Sequence, residues 1–279
     1  MAELHDTKII EQDTSAPTSV KLPRRILFDD VEMPPTEDEL PYDDGEPMES
    51  DRHALQITLL KEPLQLVWAE RDDVCIAGNL GVYYSLEQAD KQNFRAPDFF
   101  LAVGVQRRAR KSYVIWFEGK APDLVVELLS DSTAAADRGV KKQIYQDNMR
   151  VPEYILFDVE TGQLEAYRLG ITADDLHIAY REIVLGRESS FMTAAAPDFG
   201  LTCWEGEYGN MWGIWLRWFD GRTGEVLPTG AEMAKAERKR ADEERKRADM
   251  IADQLDSERQ KAIRMAEKLR ALGINPDEA

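Results

Sequence analysis

Four blocks between residues 95 and 158 decide the fold: RAPDFFLAVGV (95–105), PDLVVELLS (122–130), DRGVKKQIYQDN (137–148) and VPEYILFD (151–158). FFLAVGV (99–105), LVVELL (124–129) and EYILF (153–157) are short apolar runs rich in β-branched and aromatic residues. Each follows a proline-containing turn. Such runs suit strands covered on both faces, and the third block between them reads as a helix.

Glu127 stands out in this pattern. A carboxylate inside an apolar strand is costly to bury unless a cation or hydrogen bonds compensate it. The bland alternative is a strand-end glutamate that reaches solvent or an arginine. Asp123 lies four residues earlier on the same strand, roughly 13 Å away at about 3.3 Å per residue. That is too far to share one Mg²⁺, whose oxygen ligands sit at about 2.1 Å. Asp98 enters a different strand, and pairing of the two strands would bring it beside Glu127. Asp123 is then a strand-entry residue.

The residue two after Glu127 on the same strand face is Leu129, not lysine. Lys141 and Lys142 are the nearest cations. On an α-helix Lys141, Ile144, Tyr145 and Asn148 share one face, which would turn Lys141 toward the sheet. Lys142 would point to solvent, and both could equally be surface lysines.

These blocks, preceded by DGEPMES (44–50) and His53, resemble the Uma-two family of restriction-endonuclease-like proteins, in the PD-(D/E)xK nuclease superfamily. The resemblance spans about residues 42–220 and rests on five separated blocks in order, since the chain has four Pro-Asp doublets. It implies an α/β fold, a restriction-endonuclease-like mixed β-sheet flanked by helices, with a Mg²⁺- or Mn²⁺-dependent phosphodiesterase site acting on nucleic acid, DNA foremost. By position, Asp98 and Glu127 match the family's acidic metal ligands, and Lys141 matches a lysine that has moved to the following helix. Glu46 or Glu49 would match an upstream glutamate.

The chain has 279 residues, 43% of them hydrophobic, enough for one sizeable domain plus appendages. Two distant cysteines, Cys75 and Cys203, argue against a disulfide framework or zinc site and fit a reducing cytoplasm. No apolar run is long enough to span a membrane, and no basic-then-apolar leader is visible. The formal net charge is −18, with 14 acidic and 4 basic residues in positions 1–50. An acidic core is not the footprint of a strong non-specific DNA binder. QRRARK (106–111) is the candidate patch for phosphates, or else a solvated loop.

The expected organisation is a disordered acidic segment over 1–40, a nuclease-like domain over 41–220, a linker over 221–230 and a helical tail over 231–279. HALQITLLKEPLQLVWAE (53–70) reads as an amphipathic helix kinked or interrupted by Pro63. VCIAGNLGVYYS (74–85) reads as a strand broken by glycine, or as a hairpin. Glu153 and Asp158 are expected to make structural hydrogen bonds. Trp212, Trp215 and Trp218 are three apart, a spacing more typical of core packing on a helix or turn than of a base-stacking platform.

In the tail, Ala234, Ala241, Ala248, Leu255, Ala262 and Leu269 share one heptad position. Glu237, Glu244, Ile251, Glu258, Met265 and Leu272 share the position three later. This is a weak coiled-coil seam, best from Ala248 onward, for a homodimer or a partner helix. The alternative is a lone helix carrying i,i+4 pairs such as Asp242–Lys246 and Glu243–Arg247. Two functions follow. One is a metal-dependent endonuclease. The other is an inactive nuclease-like module that assembles through its tail, a reading favoured by the acidic core and by Leu129.

Overall fold

The three apolar runs do lie in one sheet. The computed structural model describes residues 25–26, 32–40, 50–86, 94–130, 132–171 and 177–272. The elements in chain order begin with β1 (Arg25–Ile26), β2 (Glu32–Met33), α1 (Asp51–Val67), β3 (Val74–Ala77) and β4 (Val82–Tyr83). There follow β5 (Phe99–Val103), β6 (Tyr113–Val114), α2 (Ile115–Glu118) and β7 (Leu124–Leu129). A helical stretch then opens with α3 (Ala134–Ala136) and runs through π-helical Asp137–Lys141 and Ile144–Met149. After it come β8 (Glu153–Asp158), β9 (Leu164–Ile171), β10 (Ile178–Glu182), β11 (Phe191–Met192), β12 (Phe199–Tyr208), β13 (Met211–Asp220) and α4 (Gly230–Ala271).

Six strands form the central sheet in the order β10-β9-β8-β7-β5-β3. Only β7 and β8 are parallel neighbours within it, because the helical stretch carries the chain back to the same end of the sheet. This is the mixed, helix-flanked restriction-endonuclease-like α/β fold expected from the sequence. Period-two alternation divides the core between the two sheet faces. Phe99, Leu101, Leu124, Val126, Leu128, Ile155 and Phe157 pack beneath α1 and the β12–β13 hairpin. Phe100, Ala102, Val125, Leu129, Tyr154 and Leu156 pack beneath Tyr145 and Met149 of the π-helical stretch. Glu127 shares the parity of Val125 and Leu129, so it enters this second face.

Helix α1 passes through Pro63 without interruption. Ile57, Leu60 and Leu64 seat it on the sheet, and in the turn before Pro63 the Trp218 indole donates 2.8 Å to the Leu60 carbonyl. Trp218 is fully buried and meets Phe99 edge-on at 6.2 Å. Trp218→Ala is expected to cost about 3–5 kcal/mol in urea melts, the range for truncating a buried tryptophan. That is a large share of a typical domain's stability.

Several expectations change. The residues from Val74 to Tyr83 are neither a broken strand nor a hairpin: β3 pairs with β5, while β4 joins β6 in a separate parallel pair. The tryptophans at 212, 215 and 218 lie on a strand, where spacing by three alternates faces; Trp215 and Trp218 are buried and Trp212 is exposed. In the 221–230 stretch, residues 221–225 are exposed, while Leu227 and Thr229 are buried and Val226 bridges back to Phe219. Within the acidic N-terminal segment, Leu40 is buried, and Glu37 and Asp38 meet the 106–111 loop. The rest of that segment lies largely outside the described residues.

Glu153 and Asp158 do make structural hydrogen bonds. Glu153, buried beneath β9, accepts from Arg168 at 2.6 and 3.0 Å and from the backbone of Ala194 and Ala195. Asp158 takes the Glu160 and Thr161 amides at 2.9 Å.

Candidate active site

Register brings the two expected carboxylates together. Strands β5 and β7 pair antiparallel with Phe99 opposite Val126 and Phe100 opposite Val125. One step further along the same register sets Asp98 opposite Glu127, where facing side chains lie about 5 Å apart at Cβ. The ladder ends there because Asp98 substitutes its side chain for backbone: its Oδ2 accepts the Leu128 amide at 2.7 Å. Gly78 makes room at this point. A Cβ on it would sit 2.4 Å from the Ile57 side chain and 2.8 Å from the Asp98 carbonyl.

Glu127 is 2% exposed in a strand buried along its whole length. The Tyr145 hydroxyl donates to its Oε1 at 2.8 Å, and the Lys141 ammonium lies 3.4 Å from its Oε2. Lys141 also lies 2.7 Å from Oδ1 of Asp137, another buried carboxylate. Asp137 Oδ2 has no hydrogen-bond partner among the described residues. Two carboxylates therefore hold one ammonium, and the charge of a third, Asp98, also acts on it.

Burial pushes the Glu127 carboxyl up to about 8, with Asp98 and Asp137 adding to the rise and Lys141 and Tyr145 opposing it. Burial also pushes Asp98 up to about 6, against the Leu128 amide and the positive charge of Lys141. For Lys141 burial works to lower the value, but the charge of Glu127 and the pairing with Asp137 outweigh it and raise it. The cluster is short of positive charge when ionised.

The helix that delivers Lys141 is not an α-helix. Asp137, Lys141, Tyr145 and Met149 all face the sheet, a residue every four. At α-helical pitch a step of four overshoots the turn by roughly 40°. The wider i→i+5 turns offset that drift, and π segments recur at functional sites. Asn148, expected inward, is exposed, and Met149 takes the place. Lys142 does not simply face solvent: its ammonium sits 3.2 Å from the centre of the Tyr167 ring.

Of the residues beside Lys141, α-helical spacing places Tyr145 on the lysine face, and Asp137 only at the start of the helix. His53, which ends the upstream block of the resemblance, is buried on α1, with its Nδ1 2.8 Å from the Ser50 hydroxyl. Glu46 and Glu49 lie outside the described residues. Among the described residues no group of three or more His, Cys, Asp and Glu side chains is arranged to hold a metal ion.

Asp123 stands apart, at the other end of β7. Its Oδ2 accepts the Val103 amide at 2.7 Å, and Lys120 contacts both of its oxygens at 2.7 Å. Asp123→Asn is expected to lower the unfolding free energy slightly, by about 1 kcal/mol or less for this partly exposed pair, and to leave Mn²⁺ titrations unchanged.

The 106–111 loop does not offer a free basic patch. Arg107 donates to the carbonyls of Trp68, Ala69 and Arg71 at 3.0–3.1 Å. Arg108 bridges Glu37 and Glu118. Arg110 forks onto Glu118 at 2.8 and 2.9 Å, and Lys111 pairs with Asp38 at 2.8 Å.

A family model described as "Uma2: Putative restriction endonuclease" matches residues 28–203. The chain belongs to this family. The "Uncharacterized protein slr1290" of Synechocystis sp. is 28% identical over 107 residues, 38% of this chain and 53% of that protein. The chain thus spans about half the length of this curated relative. A crystal structure of "a putative nuclease belonging to DUF820 from Anabaena variabilis ATCC 29413" matches with a TM-score of 0.36 at 15% identity, over 55% of this chain and 88% of the other. No helix among the described residues is long and apolar enough to cross a membrane.

Proposed function

We propose that this chain is a Mg²⁺- or Mn²⁺-dependent endonuclease that hydrolyses phosphodiester bonds, with DNA as its substrate. The observation that carries the reading is Glu127, buried in an apolar strand one register step from Asp98, with the Lys141 ammonium 3.4 Å from its Oε2. The donor set fits a hard divalent ion. All candidate ligand atoms are oxygens, and three carboxylates against one ammonium leave two negative charges for a dication to balance. Two protein carboxylates are few, but Mg²⁺ commonly keeps several waters. When bound, the metal would polarise the scissile phosphate and lower the pKa of an attacking water.

The chain's own residues have separate tasks. Asp98 is held by the Leu128 amide through Oδ2, which leaves Oδ1 as its ligand atom. Tyr145 fixes the plane of the Glu127 carboxylate. Lys141 stabilises negative charge developing on the phosphate. Asp137 is a positioning residue that holds the lysine at the mouth of the pair.

The alternative, a scaffold that binds without cleaving, draws on Leu129 and on the engaged basic loop. Incubating purified protein with supercoiled plasmid, single-stranded DNA and RNA under Mg²⁺ or Mn²⁺ separates the two. Nicking that EDTA and Asp98→Asn both abolish is expected. A protein that binds Mn²⁺ yet leaves every substrate intact would be the scaffold. Cleavage of RNA alone would reassign the substrate.

A further inference from the structure

The tail leaves the core partnered at its root and, among the described residues, exposed beyond it. Thr229 and Glu232 form a reciprocal capping box at the start of α4. Glu232 pairs with buried Arg217 at 2.7 Å, and the Gly230 amide donates to Glu62 at 2.9 Å. No residue of the 42-residue helix is buried. Ile251, Leu255, Met265 and Leu272 are each at least 51% exposed, and they lie on the heptad seam. Among the described residues, the ion pairs along its surface include Lys239–Glu243 at 3.9 Å and Glu258–Lys261 at 2.9 Å, rather than the two the spacing suggested. A regular helix of this length, with an apolar seam that no described residue buries, is built to receive another helix.

Charge decides which kind. The positions flanking the seam are Arg238, Arg245, Ala252, Arg259 and Ala266 on one side. On the other they are Met233, Arg240, Arg247, Gln254, Lys261 and Lys268. Neither flank holds an acid. In a parallel pair of copies Arg240 would face Arg245, and Gln254 would face Arg259. In an antiparallel pair each basic flank would face itself. These flanking contacts set partner choice in coiled coils, and here neither orientation of two copies yields an opposite-charge pair. The acids of the strip, Glu237, Glu244 and Glu258, occupy the seam itself, where a parallel second copy would set like against like.

We therefore propose that residues 248–272 of α4 dock an amphipathic helix of another protein whose seam is flanked by acidic residues, and that the tail rejects a second copy of this chain. A synthetic peptide of residues 248–272 carrying Arg259→Glu, Lys261→Glu, Lys268→Glu and Glu258→Lys serves as the probe. The unmodified 248–272 peptide is the control. Anisotropy with the full chain should show the acidic peptide binding at least ~10-fold tighter than the control, and more weakly at about 0.5 M salt than at 0.05 M. Leu255→Asp in the full chain should remove that binding without changing the core's melting transition. Equal binding of the control, or binding of neither peptide, would overturn the proposal. So would a full-chain dimer in sedimentation that Leu255→Asp dissociates, since the face would then belong to a second copy.

Discussion

Asp98→Asn and Glu127→Gln are each expected to weaken Mn²⁺ binding on the order of 10²-fold or more in calorimetric titration, since each replaces an anionic oxygen ligand with a neutral one. The same substitutions should make the metal-free protein more stable, which is unusual for changes at buried positions. The reason is the crowding of Asp98, Glu127 and Asp137 around one ammonium. In the wild-type protein the folded state holds protons on Asp98 and Glu127 that the unfolded chain has already released. Their folded values, about 6 and about 8, lie above the ordinary carboxylate values of 3.8 and 4.5. Where the native state binds more protons, stability falls as pH rises. Metal-free melting temperature should therefore decline between about pH 5 and pH 8. Excess Mn²⁺ should remove the decline, because a dication replaces the protons. An Asp98→Asn protein that folds and binds Mn²⁺ like wild type would end the metal-site reading. A metal-free melting temperature that rises across this range would show that the carboxylates are not crowded.

Lys141→Ala should lower cleavage by about 10²-fold, the scale for losing one charge-stabilising donor in a transition state. Mn²⁺ binding should be retained, since the lysine competes with a metal for Glu127. The structure adds a second effect. Lys141 is the cation shared by Glu127 and Asp137, so its removal leaves buried carboxylates without their partner. Breaking a buried ion pair from one side is typically worth about 3–5 kcal/mol. The loss should be largest at high pH without metal and smallest with metal bound. Lys141→Arg separates the two roles: it keeps the positive charge but not the compact ammonium. It should recover more of the stability than of the rate. Equal recovery of both would make Lys141 a structural residue alone.

The sequence by itself determined the framework of this protein. Apolar, β-branched runs at 99–105, 124–129 and 153–157 can be hidden only between two covering layers, and β5, β7 and β8 are covered in that way. The rise per residue of a strand separated Asp123 from Glu127 before any pairing was known. The heptad pattern from Ala234 to Leu272, with Gly273 after it, marked out α4.

Other features were decided only by tertiary structure. That Asp98 faces Glu127 depends on the β5–β7 register, set by contacts between segments almost thirty residues apart. The π-helical turns follow from how a helix of no special composition must fit its sheet, so Asp137 and Met149 could not be placed by α-helical spacing. The charges of the 106–111 loop are neutralised by Glu37, Asp38 and Glu118, partners that no local pattern in QRRARK announces. Strand and helix type are written in neighbouring residues and can be read locally. Register, helical pitch under packing and ion-pair partners arise from residues far apart in the chain, and only the folded chain brings those together.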